Sequence, residues 1–229
     1  YIGLGLPEPA SQLLGDALQA REQTMGNSAR ATTETRSALA AATFLAGKYE
    51  DAEKLYREAL AISRRLSPDG DALVANNLNG LADALSELGS DEEAERLYRE
   101  ALAIDDALFG EGSLEAAQTL QGLARNLYFS GRYDEAEQLM LQGLKIRKAK
   151  LGATHWKISD NLNDLGALYY QTGRYEDAVT YWKESLAICE EWAGKDHPDV
   201  GTVANNIGRS LLIDGKLDEA AVYLTRALE

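Results

Sequence analysis

Apolar residues recur along this chain at three- and four-residue steps, and glycines interrupt them at regular points. Between residues 114 and 130, Ala116, Leu120, Leu123, Ala124 and Leu127 mark one helix face. After Gly131, Ala136, Leu139, Met140, Leu144 and Ile146 mark a second. The opening of that second helix is repeated: GKYEDAEKLY from Gly47, GSDEEAERLY from Gly89, GRYDEAEQLM from Gly131, GRYEDAVTYW from Gly173 and GKLDEAAVYL from Gly215. Each glycine follows the last by 42 residues. A fixed period of this size predicts a stack of supersecondary units, each touching only its neighbours. Glycine closes the first helix of each unit because, without a Cβ, it accepts the left-handed backbone beyond a helix C-terminus. Gly26, Gly110, Gly152 and Gly194 keep the same period in the loops between units, with Pro68 in the slot that lacks glycine. Each unit therefore reads as helix, tight turn, helix, loop, with helix pairs breaking near residues 47, 89, 131, 173 and 215.

Small residues stand where helices must approach most closely. Ala52, Ala94, Ala136, Ala178 and Ala220 follow the repeat glycines by five positions, and Ala40, Ala82, Ala124, Gly166 and Gly208 precede them by seven. Tyr56, Tyr98 and Trp182 share a second-helix slot with Met140 and Leu224, an equivalence that places them in the core. Tyr49, Tyr133 and Tyr175 are expected to pack across the turns. Gly5 lies one period before Gly47, and Ala10, Leu13, Ala17 and Leu18 fall in register with Ala52, Leu55, Ala59 and Leu60. Residues 1–32 thus read as the second helix of a preceding repeat plus a loop, with Pro7 and Pro9 at its start, where proline is tolerated. Repeats follow at 33–70, 71–113, 114–156, 157–198 and, incomplete, 199–229, in a single array. Neither end shows the polar capping unit that solenoids need, so a segment of a longer protein is expected.

The net charge of −14 opposes nucleic acid or an anionic membrane as partner, since both require a basic face. Much of the acidity has a local cause. Glu50, Asp51, Glu92, Glu93, Asp134, Glu135, Glu176, Asp177, Asp218 and Glu219 fall in the first turns of second helices, where exposed N–H groups and the helix dipole favour negative charge. No apolar run reaches the roughly 20 residues that span a bilayer. The lone Cys189 excludes an intrachain disulfide and favours a reducing, cytoplasmic location.

Catalytic chemistry is not indicated. His155 and His197 are one period apart in loops before first helices, with no clustered Cys, His or Asp in sequence. Cys189 occupies the slot of Ser63, Asp105 and Arg147 and has no assigned base. The piece GEGS at 110–113 lacks the lysine of a phosphate loop and follows a helix. Trp156 and Trp192 have no aromatic equivalents in other repeats, and loop packing is their expected role. No catalytic residue, metal or cofactor is expected.

Leu-Gly or Leu-Ala on the first helix, Gly-x-Tyr at the turn and Ala on the second helix resemble the tetratricopeptide repeat, whose usual unit is about 34 residues. The longer unit here, with ANNLNGLADAL, NLNDLGALYYQTGRYEDAV and GKDHPDVGTVANNIG, is similar to the kinesin-light-chain variety. That resemblance implies an all-α, right-handed α-solenoid of stacked antiparallel helix pairs. It also implies a non-catalytic protein–protein interaction module, a scaffold or adaptor whose first helices line a concave groove for a peptide or protein segment. The alternative is a ligand-sensing regulatory arm of a larger signalling protein with NTPase or protease domains, which would make flanking domains of the same protein further partners. A homo-oligomeric scaffold is a third reading.

The resemblance places the groove on three first-helix positions. Ten residues before each repeat glycine stand Ser37, Asn79, Gln121, Asn163 and Asn205, a row of carboxamides suited to the N–H and C=O groups of an extended peptide. One turn on come Ala41, Asp83, Arg125, Ala167 and Arg209, and beyond them Phe44, Ser86, Tyr128, Tyr170 and Leu212. The peptide-binding candidates are Asn79, Gln121, Asn163, Asn205, Asp83, Arg125, Arg209, Tyr128 and Tyr170. They are expected to point away from helix packing, so that their removal leaves stability unchanged.

Overall fold

A computed structural model describes residues 7–228; Gly5 and Glu229, with the other residues before position 7, lie outside the described residues. Eleven α-helices and no strand occur among them. They are α1 (Pro7–Met25), α2 (Arg30–Leu45), α3 (Tyr49–Leu66), α4 (Ala72–Glu87), α5 (Asp91–Phe109), α6 (Leu114–Phe129), α7 (Tyr133–Leu151), α8 (Trp156–Gln171), α9 (Tyr175–Ala193), α10 (Pro198–Ile213) and α11 (Leu217–Arg226). The chain forms two compact units, residues 1–126 and 127–229. In the first, successive helices from α1 to α5 pack on one another; in the second, successive helices from α7 to α11 do.

The turn within each pair is built the same way five times. Gly47, Gly89, Gly131, Gly173 and Gly215 have φ between +74° and +77°. The N–H of Gly47 donates to the Phe44 carbonyl at 2.9 Å, and that of Lys48 reaches back to Thr43 at 3.1 Å. This crossed pair is the Schellman arrangement, which satisfies carbonyls that a helix end leaves open. The residue closing the first helix also begins the second: Lys48, Ser90, Arg132, Arg174 and Lys216 stand at the N-caps, and none caps with its side chain. The acidic first turns compensate, since carboxylates there face the positive end of the helix dipole.

First helices start differently. Asp71 accepts the N–H groups of Leu73 and Val74 at 3.0 Å each, and the Ser113 hydroxyl accepts that of Ala116 at 3.0 Å. The His155 and His197 Nδ1 atoms accept from Lys157 and Asp199 at 3.2 and 3.3 Å. The loop histidines therefore cap α8 and α10. In the loop before α4, Pro68 cannot adopt the left-handed backbone of Gly26, Gly110, Gly152 and Gly194. Gly70 adopts it instead, at φ +87°, two residues later.

The small-residue columns lie in the core. Ala40, Ala52, Ala82, Ala94, Ala124, Ala136, Ala178 and Ala220 are fully buried. Gly80, Gly122, Gly166 and Gly208 admit large side chains: a Cβ on them would stand 2.3–2.6 Å from Tyr56, Tyr98, Trp182 and Leu224 respectively. The shared slot is therefore core, as its equivalence predicted, and first-helix glycines make room for its rings. Tyr56 and Tyr98 lie against the first helix of the following repeat, Trp182 and Leu224 against that of their own.

Outside the core, exposed ion pairs link successive second helices at a 36-residue offset. Arg57 pairs with Glu93 at 2.9 Å, Arg64 with Glu100 at 2.5 Å, Lys148 with Glu184 at 2.5 Å and Lys183 with Glu219 at 3.5 Å. Such pairs contribute at most about 1 kcal/mol each.

Candidate interaction face

Beneath the expected carboxamide row lies a column of buried polar residues, two positions earlier on the first helices: Thr35, Asn77, Thr119 and Asn161. Each meets a second-helix residue fourteen positions before it. Arg21 donates to Thr35 at 2.5 Å, Asn77 to the Ser63 hydroxyl at 3.3 Å, and Thr119 to the Asp105 carboxylate at 2.7 Å. Arg147 donates to Asn161. At Val203 the column turns apolar, and its partner slot holds the buried Cys189, whose sulfur instead meets the Ser159 hydroxyl at 2.9 Å. Buried polar groups need partners, and this column supplies one to each of its four polar members across a repeat junction, although Asn161 Nδ2 is left without one.

The carboxamide row is tied into the same column. Ser37 donates to Asn77 Oδ1 at 2.6 Å, and Asn79 Nδ2 donates to Thr119 Oγ1 at 2.6 Å. Asn163 accepts the Trp182 indole N–H at 3.0 Å on its side chain, and its backbone carbonyl accepts it at 3.2 Å. Asn79 and Asn163 thus take part in helix packing, which corrects the expectation that their removal would leave stability unchanged. Gln121 is half-buried. Asn205 is half-buried and lines an open cavity of about 590 Å³ together with His197, Pro198, Thr202 and Arg226.

The charged and aromatic positions separate in the same way. Asp83 accepts the Tyr98 phenol at 2.5 Å. Burial pushes its carboxyl above the usual range, against the Tyr98 hydrogen bond and the Arg125 charge, which pull it down. Burial first, then the Asp83 charge, raises the Tyr98 phenol. Arg125 and Arg209 are exposed. Tyr128 lies edge-on to Tyr133 with ring centroids 5.7 Å apart, and Tyr170 lies against Tyr175 at 5.5 Å and Trp182 at 5.9 Å. The Arg209 guanidinium stands 5.8 Å over the Tyr170 ring.

The polar column was open to sequence reasoning. The tetrapeptides NNLN and DNLN place Asn77 two residues before Asn79 and Asn161 two before Asn163, so that a buried amide precedes each amide of the groove row. Among the described residues, no three His, Cys, Asp or Glu side chains gather as a metal site. No helix there is long and apolar enough to cross a membrane.

The tetratricopeptide repeat family model matches residues 71–149 and 158–229, and a second model of the same description matches 32–71. The chain belongs to the tetratricopeptide repeat family, with units of 42 residues, and its fold is the α-solenoid of that class. Among solved structures it is similar to BtubC (BKLC) from P. vanneervenii, with a TM-score of 0.80, 24% identity, and coverage of 97% of this chain and 89% of that one. A putative kinesin light chain of Podosopora anserina, with nearly identical TPR-like repeats, gives a TM-score of 0.72 at 21% identity, covering 85% and 92%. PilF of Pseudomonas aeruginosa gives 0.64 at 22% identity, covering 86% and 75%. At these identities the likeness shows the fold. No curated protein matches the sequence. Repeats of this family serve generally as protein-interaction scaffolds.

Proposed function

We propose that the first-helix face of the second unit takes up an extended peptide segment carrying an acidic side chain, and that the chain acts as a non-catalytic adaptor. The observation that carries this reading is Arg209. On a chain of net charge −14, its exposed guanidinium rests over the Tyr170 ring, 5.8 Å from the ring centre. An arginine steadied by a ring offers two parallel donors to an incoming carboxylate. Asn205, one turn earlier, adds an amide able to meet the backbone of the same segment. The half-buried Tyr170 supplies apolar contact. Asn79, Gln121, Asp83 and Arg125 present the corresponding positions in the first unit, where Asp83 is already occupied by Tyr98. Tyr128 stands at the position of Tyr170.

The test is selection from a library of random peptides on the full chain, followed by titration of the recovered sequence. An acidic consensus should emerge. Arg209→Ala should weaken its binding about tenfold, equivalent to about 1.4 kcal/mol, with Arg209→Lys intermediate. Raising the salt concentration should weaken the parent and spare the Arg209→Ala chain. If Glu53→Ala or Glu95→Ala on second helices abolishes binding while Arg209→Ala and Asn205→Ala leave it untouched, the partner sits elsewhere and the assignment falls.

A further inference from the structure

Trp156 and Trp192 occupy slots that elsewhere hold Arg30, Ala72, Leu114 and Pro198, and Thr24, Leu66, Leu108 and Lys150. The fold brings the two indoles together. Trp156 opens α8, Trp192 lies at the end of α9, and their ring centroids are 6.2 Å apart with planes tilted by 38°. A capping histidine extends each ring: His155 stacks on Trp156 at 5.7 Å, and His197 meets Trp192 edge-on at 5.8 Å. Core packing does not account for this cluster. Trp156 is 41% exposed and Trp192 55%, whereas the core Trp182 is 3% exposed. Four rings from two successive repeat junctions thus form a continuous aromatic surface in water, a feature that marks interaction sites.

The hydrogen-bonding character of the surface is one-sided. Both histidines accept a backbone N–H at Nδ1, and at His197 the Asp199 carboxylate stands 3.5 Å from the same atom. A neutral imidazole that accepts at Nδ1 carries its proton at Nε2 and donates from there. An indole donates only. The cluster therefore presents four ring N–H donors, and its ring acceptors are already used. A complementary ligand supplies apolar rings and carbonyl oxygens and brings no N–H of its own. Proline-rich chain in the polyproline II conformation has this character: proline lacks the N–H, and the extended left-handed helix leaves its carbonyls free. A cation is the competing occupant of aromatic clusters. Here Lys157 already holds its ammonium 5.6 Å from the Trp156 ring centre, where it opposes a further positive charge. We propose that Trp156, Trp192, His155 and His197 form a docking site for a proline-rich segment, distinct from the first-helix site around Arg209. The preformed polyproline helix lowers the ordering entropy lost on binding, which favours docking on an open surface of this kind.

The chain's three tryptophans allow a direct test by nitrogen-15 spectra of the indole N–H groups. Trp156→Phe, Trp182→Phe and Trp192→Phe each remove one signal and so assign all three. Titration with a polyproline peptide of about ten residues, in the polyproline II form, should shift the Trp156 and Trp192 signals together and saturably, with Trp182 unmoved. Trp192→Ala should reduce the affinity at least about tenfold, and Trp192→Phe, which keeps a ring and loses one donor, by a smaller factor. Asn205→Ala and Arg209→Ala should leave this binding intact, which separates it from the first-helix site. The proposal is overturned if the Trp156 and Trp192 signals stay still, if a glycine–serine peptide of equal length moves them as much, or if tetramethylammonium moves them and polyproline does not. Both rings are exposed, so the alanine variants should melt with the parent. Should one unfold, the phenylalanine variant decides the matter.

Discussion

Replacing Gly80 by alanine puts a methyl group where the structure leaves no space. The new Cβ would lie 2.3 Å from Tyr56 Cζ and 2.4 Å from Cε1. Carbon atoms in contact settle about 3.5–4.0 Å apart, so the overlap exceeds about 1 Å. Tyr56 is 7% exposed and cannot swing into solvent, and relief requires α3 and α4 to part. Overpacking of this kind costs about 1–3 kcal/mol, with the large overlap favouring the upper end. Against it stands a gain of about 1 kcal/mol, because alanine is a better helix former than glycine. The net expectation is a loss of about 1–2 kcal/mol, or about 2–8 °C in melting temperature for a chain of this length. Gly15 in α1 provides the opposite case. A Cβ there meets nothing within 4 Å, so Gly15→Ala should raise stability by about 0.5–1 kcal/mol. Urea unfolding followed by circular dichroism measures both. Amide exchange in α3 and α4 localises the loss, since repeat arrays can unfold in pieces. On a Tyr56→Met background, where the flexible thioether that Met140 already places in this slot can yield, the penalty at Gly80 should largely vanish. If Gly80→Ala stabilises as Gly15→Ala does, the ring does not rest on the helix and the account of the repeat junction is wrong.

Asp71→Ala removes a side chain that accepts from two backbone N–H groups, Ser67 and Arg30, and should cost about 1–2 kcal/mol at neutral pH by thermal melting. Although burial would raise the Asp71 carboxyl, hydrogen bonds from Ser67, Arg30 and Val74 hold it down to about 2. Its contribution is therefore complete above the unfolded value of 3.8 and disappears as the pH falls through about 2, so parent and variant should converge on acidification across that window. Asn79→Ala should lower the urea midpoint by the equivalent of about 1 kcal/mol, because Thr119 loses a donor. Asn205→Ala, which breaks no side-chain hydrogen bond among the described residues, should leave the midpoint unchanged; equal effects would contradict the division drawn between them. Arg57→Ala should cost less than about 1 kcal/mol, and the difference should shrink in high salt, as expected for pairs to Glu53 and Glu93 at the surface.

The sequence by itself determined the repeat. Its period, the helix pair and the five turns are local consequences of glycine's access to positive φ, and the fully buried alanines follow from a slot that recurs every 42 residues. Residues in one recurring slot share their burial even where their neighbours differ, so the recurrence marks Tyr56, Tyr98 and Trp182 as core although the first two rest on the following repeat and the third on its own. Tertiary structure decided what depends on the rotation of one helix against the next. Asn79 and Asn205 share a slot, yet Asn79 is bound to Thr119 forty residues away while Asn205 is open. Periodicity assigns both to one face and carries no information about which amide finds a partner. The loop before α4 shows the same limit, since a shift of two residues, from the Pro68 slot to Gly70, preserves the backbone while breaking the pattern. The Trp156–Trp192 cluster lay furthest from view: two residues 36 positions apart, in different slots, meet because the antiparallel packing of α8 and α9 sets the start of one helix beside the end of the other. A repeating sequence specifies its slots through local backbone energetics and average burial. Contacts between unlike slots are specified by the stacking geometry, which exists only once the helices have packed.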